Sequence, residues 1–238
     1  MQTIPVGVGD RVFVLTGAGI SAESGLPTFR AEDGLWAGNR IEDVCTPEAW
    51  ELNPGLVWQF YSARRAAGAA AQPNPAHFAL AELEGRIGDR FFLCTQNVDD
   101  LHERAGSRRL VHMHGELNKA HCEDDCGRPP VEDHALYQDL AEVGHCACGA
   151  RLRPHIVFFG EIPLEMERLE REIKRATLMV VVGTSGSVYP AASFVHWARR
   201  NRARTVYIGP EPPLNAEAFT QVVEGKAGAV MPGLFAVE

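Results

Sequence analysis

RVFVLTGAGISAESG, residues 11–25, is the stretch whose reading decides the fold. Arg11–Thr16 is an apolar, β-rich run without polar alternation, as expected of a strand buried on both faces of a parallel sheet. It runs directly into Gly17, Ala18 and Gly19. Glycines between a strand and a helix let backbone N–H groups approach a diphosphate at the helix N-terminus. The same residues also make an ordinary tight turn. Ala22 stands where GxGxxG has its third glycine, so this stretch alone leaves both readings open. The acidic residue expected about 20 positions on is represented only by Glu42 and Asp43, after a loop. This is not an ordinary dehydrogenase start.

Further apolar runs lie at Phe91–Thr95, Leu110–His112, Ile156–Phe159, Leu178–Val182 and Thr205–Ile208. Helical stretches stand between them. Asn53-Pro54 starts one reaching Ala71, Asn74-Pro75 starts another reaching Leu83, and Ile162–Ala176 and Ala191–Arg202 give two more. Strands alternating with helices predict an α/β fold, a Rossmann-like parallel sheet with helices on both faces. The segment from His121 to Arg153 breaks the rhythm: it is polar and holds four of the six cysteines. It reads as a small insert that needs its own staple.

The 238 residues suit one large domain with an insert. A formal net charge of −8 argues against a general nucleic-acid binder. The N-terminus does not read as a signal peptide, and no apolar run is long enough to span a bilayer, so a cytoplasmic protein is expected. In that compartment cysteines serve as thiols or metal ligands rather than disulfides.

Four further stretches carry candidate chemistry. Leu26–Arg30 offers an aromatic and a cation beside the glycine turn, as a cofactor lid or a surface loop. Gln96, Asn97 and Asp99 follow a strand end, where open α/β sheets place their sites. They can grip ribose hydroxyls and a carboxamide, and they can also cap the helix beginning near Asp99. Gly183, Thr184 and Ser185 open a second small-residue turn, and two such turns on one sheet suggest a long ligand across its carboxyl edge. Cys122-x3-Cys126 and Cys146-x-Cys148 read as one structural zinc site, with His121 and His145 as spare ligands because the second pair is tightly spaced. That leaves HMHGEL, residues 112–117, where His112 and His114 would share a face if they lay on one strand. A metal with its own cysteines does not need either.

Taken in order, GAGISAESGLPTFR (17–30), TQNVDDLHERAG (95–106), HMHGEL (112–117), the cysteine insert, RPHIVFFGE (153–161) and GTSGSVYPAA (183–192) resemble the sirtuin family of NAD-dependent protein deacylases. The resemblance spans nearly the whole chain. It implies a large Rossmann-like domain, approximately residues 1–30, 80–118 and 154–238, and a small domain from a helical insertion at 31–79 and a zinc-binding one at 119–153. NAD would be a co-substrate and one zinc ion structural. Acyl-lysine proteins or peptides would be the partners, with no nucleic acid and no membrane, and a monomer is expected.

By resemblance His114 is the catalytic base and His112 is not, with Asn97 and Asp99 orienting ribose, nicotinamide or a water. Gly17, Ala18, Gly19, Glu23, Phe29, Arg30, Trp36, Gln96, Asn97, Val98, Asp99, Gly183, Thr184, Ser185, Gly209, Glu211 and Ala227 match NAD-site positions. Gly209 stands where the family usually has an asparagine. Val157, Phe159, Gly160 and Glu161 match the segment that pairs with a substrate peptide as an added strand, with Phe158 in place of a common tryptophan. The implied reaction expels nicotinamide, lets the acyl oxygen attack the sugar, and uses a histidine to take a proton from the ribose diol. Its products are lysine, nicotinamide and O-acyl-ADP-ribose.

Within the helix after Pro54, Val57, Phe60, Tyr61 and Arg64 share one face. Tyr61-x-x-Arg64 resembles the pattern of sirtuins that remove succinyl, malonyl or glutaryl groups, and a phenol with a guanidinium can hold the distal carboxylate. Removal of succinyl and malonyl groups is therefore expected, alongside acetyl. Two rivals stay open on sequence alone: an NAD-dependent protein ADP-ribosyltransferase and a non-catalytic NAD- or zinc-binding interaction module.

Overall fold

The computed structural model describes residues 3–28, 35–36 and 38–238. Its main sheet has six parallel strands in the order Gln221–Glu224, Arg204–Gly209, Leu178–Val182, Val12–Thr16, Phe91–Thr95, Leu110–His112. Every residue of Val12–Thr16, Phe91–Thr95 and Leu178–Val182 is buried, which is why these runs carry no polar alternation. Thr16 is in register with Thr95 on one side and Val182 on the other. The sequence order of the strands reverses about Val12–Thr16. The loops leaving it, Phe91–Thr95 and Leu178–Val182 therefore open at one carboxyl edge, where such sheets bind ligands.

Alternate strand residues point to opposite faces and build two cores. Val12, Val14, Leu93 and Val180 pack under Leu80 and Leu83 of the Pro75–Ile87 helix and Ala227 of the Ala227–Val230 helix. Phe13, Leu15, Phe92 and Val181 pack under Leu169 and Ile173 of Met166–Arg175 and Phe194 of Phe194–Arg200. A third core joins Val44, Trp50, Trp58, Phe60 and Tyr61 to Val98, Leu117, Ile156 and Phe158. It lies between the helices Ile41–Val44, Pro47–Leu52 and Pro54–Ala70 and an antiparallel sheet ordered Val131–Glu132, Gly115–Cys122, Leu152–Ile156.

The predicted helix starts form by the predicted chemistry. Asn53 accepts the Leu56 amide at 3.1 Å. Asn74 accepts the Ala76 amide at 3.0 Å, while its own amide donates to His77 Nδ1 at 3.2 Å, a reciprocal cap that satisfies two donors.

Two expectations need correction, and one strand was not expected. The apolar run expected at Ile156–Phe159 is not a strand of the parallel sheet. The strand is Leu152–Ile156, paired antiparallel with Gly115–Cys122, because its apolar residues face the third core. Second, no α-helix follows the first glycine turn. Two three-residue 3-10 turns follow, Ala18–Ile20 and Ala22–Ser24, and Gly25 at φ 86° ends them. The strand Gln221–Glu224 escaped notice because its burial alternates, half of it facing solvent at the sheet edge.

Those glycines have a further reason to be glycine. The Gly19 amide donates to Gly183 O at 2.8 Å, and the Gly17 amide to Val182 O at 3.0 Å. A Cβ on Gly19 would lie 2.7 Å from Gly183 Cα, too close for real atoms. The two turns dock backbone to backbone, so the glycines serve turn-on-turn packing as well as ligand approach.

Candidate active site

HMHGEL does not form one strand. His112 ends Leu110–His112, and His114 sits in the turn before Gly115–Cys122, where Gly115 takes φ 87°. The two imidazoles nevertheless meet consecutive peptide groups. His112 Nδ1 lies 2.8 Å from the Asn97 carbonyl and His114 Nδ1 lies 3.1 Å from the Gln96 carbonyl. A carbonyl only accepts, so both Nδ1 atoms carry the proton. His114 thus has its lone pair at Nε2 when neutral, and burial lowers its pKa, favouring that neutral form. His112 differs. Its Nε2 lies 2.7 Å from Glu103 Oε1, and it is held above the ordinary value because the carboxylate outweighs burial.

Beneath these residues runs a buried polar floor. Asn97 Nδ2 donates to Ser21 Oγ at 3.0 Å, and Ser21 Oγ donates to Asp99 Oδ2 at 3.2 Å. Thr16 Oγ1 donates to Thr95 Oγ1 at 2.8 Å and lies 3.0 Å from His102 Nε2. His77 and His102 meet edge to face at 4.8 Å. Burial raises the Asp99 pKa, opposed by the Leu101 amide, Ser21 and nearby cations. Asp99 Oδ1 accepts the Leu101 amide at 3.2 Å, so the expected helix-start role is filled by Asp99, one residue ahead of the cap position. Gln96 donates backbone and side-chain amides to the Thr16 carbonyl at 2.9 and 3.3 Å, and the buried Val98 accepts the Leu117 amide at 2.8 Å.

At the other turn, Thr184, Ser185 and Ser187 lie along the same edge, with Ser185 and Ser187 hydroxyls 2.6 Å apart. Glu23 accepts the Gly228 amide at 2.7 Å and so ties the first turn to the start of the Ala227–Val230 helix. Gly209 has a steric cause. A Cβ there would collide with the Tyr207 ring, whose hydroxyl donates to the Thr184 carbonyl at 3.2 Å. Glu211 is exposed just beyond. Trp36 lies in a short strand, Leu35–Trp36, paired with Asn39–Arg40. Phe29 and Arg30 lie outside the described residues.

The acyl-pocket candidates sit together. Tyr61 is fully buried, burial keeps its phenol neutral, and its hydroxyl donates to Cys45 Sγ at 3.1 Å. Its ring stacks on Phe158 at 6.2 Å. The Arg64 guanidinium lies 5.8 Å from the centre of the Phe60 ring, and burial lowers its pKa, opposed by Tyr61, Asp99 and Cys45. Arg65 points elsewhere, donating to Leu117 O at 2.6 Å and Asp133 at 3.0 Å, so it fastens the helix to the cysteine insert. The peptide-strand candidates adjoin this pocket. The Val157 amide donates to His114 O at 3.0 Å and the Phe159 amide to Cys45 O at 2.9 Å. Glu161 takes Arg153 bidentately at 2.8 and 3.0 Å and also accepts the Phe158 amide, so it braces the loop that carries Gly160.

The four cysteines of the insert converge. Cys122 and Cys148 Sγ atoms are 3.5 Å apart, Cys126 and Cys146 3.6 Å, and all four lie within 4.8 Å of one another. Tetrahedral thiolates at about 2.3 Å from zinc stand about 3.8 Å apart, so the set fits one ion and leaves no open position. The tight Cys146-x-Cys148 spacing supplies both remaining donors. His121 instead faces His155, and His145 is in a backbone bridge with Arg151.

Sequence reasoning missed the floor of Thr16, Thr95, His77 and His102, and the role of Cys45. A signal existed for the first: two adjacent strands, Val12–Thr16 and Phe91–Thr95, both end in threonine, immediately before their loops.

A doubly wound sheet with two docked small-residue turns, a half-buried histidine with Nε2 left as its lone-pair nitrogen at the sheet edge, and a cysteine-stapled module define a nucleotide-dependent enzyme of α/β class. Comparison makes the assignment specific: residues 17–190 match the Sir2 family, and the chain belongs to it. It is 50% identical over 224 residues to an NAD-dependent protein deacylase of Salmonella typhimurium, covering 93% of this chain and 81% of that one. It is 51% identical over 225 residues to a Caulobacter vibrioides protein of the same name, covering 93% and 94%. A crystal structure of a Sir2 homologue–NAD complex superposes with a TM-score of 0.85 at 41% identity, covering 95% of this chain and 89% of that one.

Proposed function

We propose that this chain, an NAD-dependent protein deacylase, acts on acyl-lysine side chains with a preference for acidic acyl groups such as succinyl and malonyl. The observation that carries the preference is the pairing on one helix face of Tyr61, buried in the third core, with the half-buried Arg64. A guanidinium partly withdrawn from water is costly to desolvate, and an anionic ligand repays that cost with a bidentate, charge-assisted contact. Tyr61 is neutral and can donate. The thiol it now meets is a weak acceptor that a carboxylate would outcompete.

In this reading NAD supplies the leaving group and the sugar that accepts the acyl chain. The chain's own residues do the rest. His114 receives a proton at Nε2, because Nδ1 is committed to the Gln96 carbonyl. Asn97 and Asp99, oriented through Ser21, hold the ribose and nicotinamide side of the cofactor. The two glycine turns, with Glu23, Gln96, Thr184 and Ser185, hold the remainder along the sheet edge. Val157, Phe159 and Gly160 take the peptide as an added strand, and the bond from Val157 to His114 keeps peptide and base in register.

The test compares succinyl- and acetyl-lysine peptides with Arg64→Met. Succinyl turnover should fall about tenfold to a hundredfold, the worth of one charge-assisted contact, with acetyl turnover little changed. Intact succinyl turnover would sink the pocket assignment. Mass spectrometry of products separates deacylation, which yields O-acyl-ADP-ribose, from the rival transfer of ADP-ribose to protein.

A further inference from the structure

We propose that His112, aimed by Glu103, is a positioning residue that clamps the Asn97 peptide and so sets the geometry of the cofactor loop. The proposal rests on the active-site reading above. His112 is buried and reaches both partners at once: Nδ1 to the Asn97 carbonyl at 2.8 Å and Nε2 to Glu103 at 2.7 Å. The next peptide carbonyl back, that of Gln96, is held by His114. Two imidazoles therefore bracket two consecutive peptide groups, and the Asn97 side chain reaches on to Ser21 and thence to Asp99. One histidine of the pair is left to work as a base and the other fixes the loop that the base acts beside.

A second carboxylate, Glu116, approaches the pair, and the three groups together have the make-up of a cation site. Glu116 already has a cation partner, Lys119, whose Nζ lies 2.8 Å away. The charged and titratable groups around His112 are Glu103 and His102 on the Leu101–Ala105 helix, Asp99 before it, Glu116 on Gly115–Cys122 and His155 on Leu152–Ile156. The carboxylates among them favour the protonated ring.

Protonation matters to the clamp because only the imidazolium donates from both nitrogens. Once the proton is lost, one nitrogen presents a lone pair either to the carboxylate or to the carbonyl, and one contact fails. The clamp is thus complete below the ordinary histidine range and is lost as pH rises through the raised value of His112. Glu103→Gln removes that dependence. Its amide can donate to a neutral Nε2 while Nδ1 keeps its proton for Asn97, and its oxygen can accept from a charged ring.

The experiment uses Glu103→Ala and Glu103→Gln in the zinc-loaded protein, since Glu103 lies at the edge of the site and its variants open no core. Nicotinamide release gives kcat and KM for NAD from about pH 6 to about pH 9, and NAD titration measures binding without turnover. Glu103→Ala should weaken NAD binding about tenfold, the effect of losing one charge-assisted hydrogen bond, with a smaller change in kcat. Glu103→Gln should restore binding and flatten the alkaline fall that the wild type shows. The idea is overturned if Glu103→Ala binds NAD as the wild type does, or if Glu103→Gln keeps the wild-type alkaline fall. Absence of turnover in the wild type with NAD binding intact would count against the deacylase reading, not against the clamp.

Discussion

At the scale of single residues, the division of labour proposed for His112 and His114 rests on what each ring's second nitrogen meets. His114 meets no carboxylate in the contacts described, and burial lowers its pKa. A base must be neutral, so turnover should hold as pH falls to the ordinary histidine value of about 6.5 and decline only below it. His114→Ala should cost about 10² to 10⁴ in kcat, the usual worth of general-base help, while NAD binding persists. A pH–kcat profile with its acidic midpoint above that histidine value would contradict the assignment. The sequence told little of this. It showed two histidines one residue apart, and strand alternation put them on one face. The roles depend on Gln96, Asn97 and Glu103, which tertiary contact alone delivers. Gly209 is a parallel case: nothing local says that a tyrosine two residues earlier will fill the space above it.

Elements were more legible than residues because burial on both faces writes itself into composition. Val12–Thr16, Phe91–Thr95 and Leu178–Val182 could be read from unbroken apolar runs, and Pro54–Ala70 from its cap. The Ile156–Phe159 run misleads because an apolar stretch does not announce which sheet it joins; the strand there is Leu152–Ile156, in the antiparallel sheet. The cysteine insert was legible by poverty of core. Its exposed Val131–Glu132 strand and its cysteines, of which only Cys122 is buried, withdraw little apolar surface, so the metal must supply much of its order. Cys146→Ser should therefore abolish the one-to-one zinc content and raise amide exchange across Gly115–Cys122 and Leu152–Ile156. Leu178–Val182, packed in two separate cores, should keep its protection. Zinc retained at full stoichiometry, or exchange raised equally in the parallel sheet, would show that the insert is not stapled in this way.

For the molecule as a whole, the polar floor beneath the two turns couples folding to pH. His77 and His102 sit at the junction of the Pro75–Ile87 helix, the first strand and the Leu101–Ala105 helix, and both are fully buried. Burial pushes His77 down to about 4 and His102 well below its ordinary value. A histidine whose folded pKa is depressed stabilises the native state above its unfolded value. That contribution drains as pH falls from about 6.5 toward the folded value, because the unfolded chain then binds the extra proton. For His77 the drain is on the order of 3 kcal/mol by the foot of the window, a sizeable part of an ordinary domain's stability. The denaturant midpoint should accordingly fall between about pH 6.5 and about pH 4.5, and His77→Gln, which keeps a polar group but cannot titrate, should fall less steeply. Ser21 links this floor to Asn97 and Asp99, so NAD binding should weaken over the same window before the sheet unfolds. If the wild-type midpoint stayed level across that range, the two rings would have to be charged or rehydrated in the folded protein, and the closed floor described above would not be its solution state.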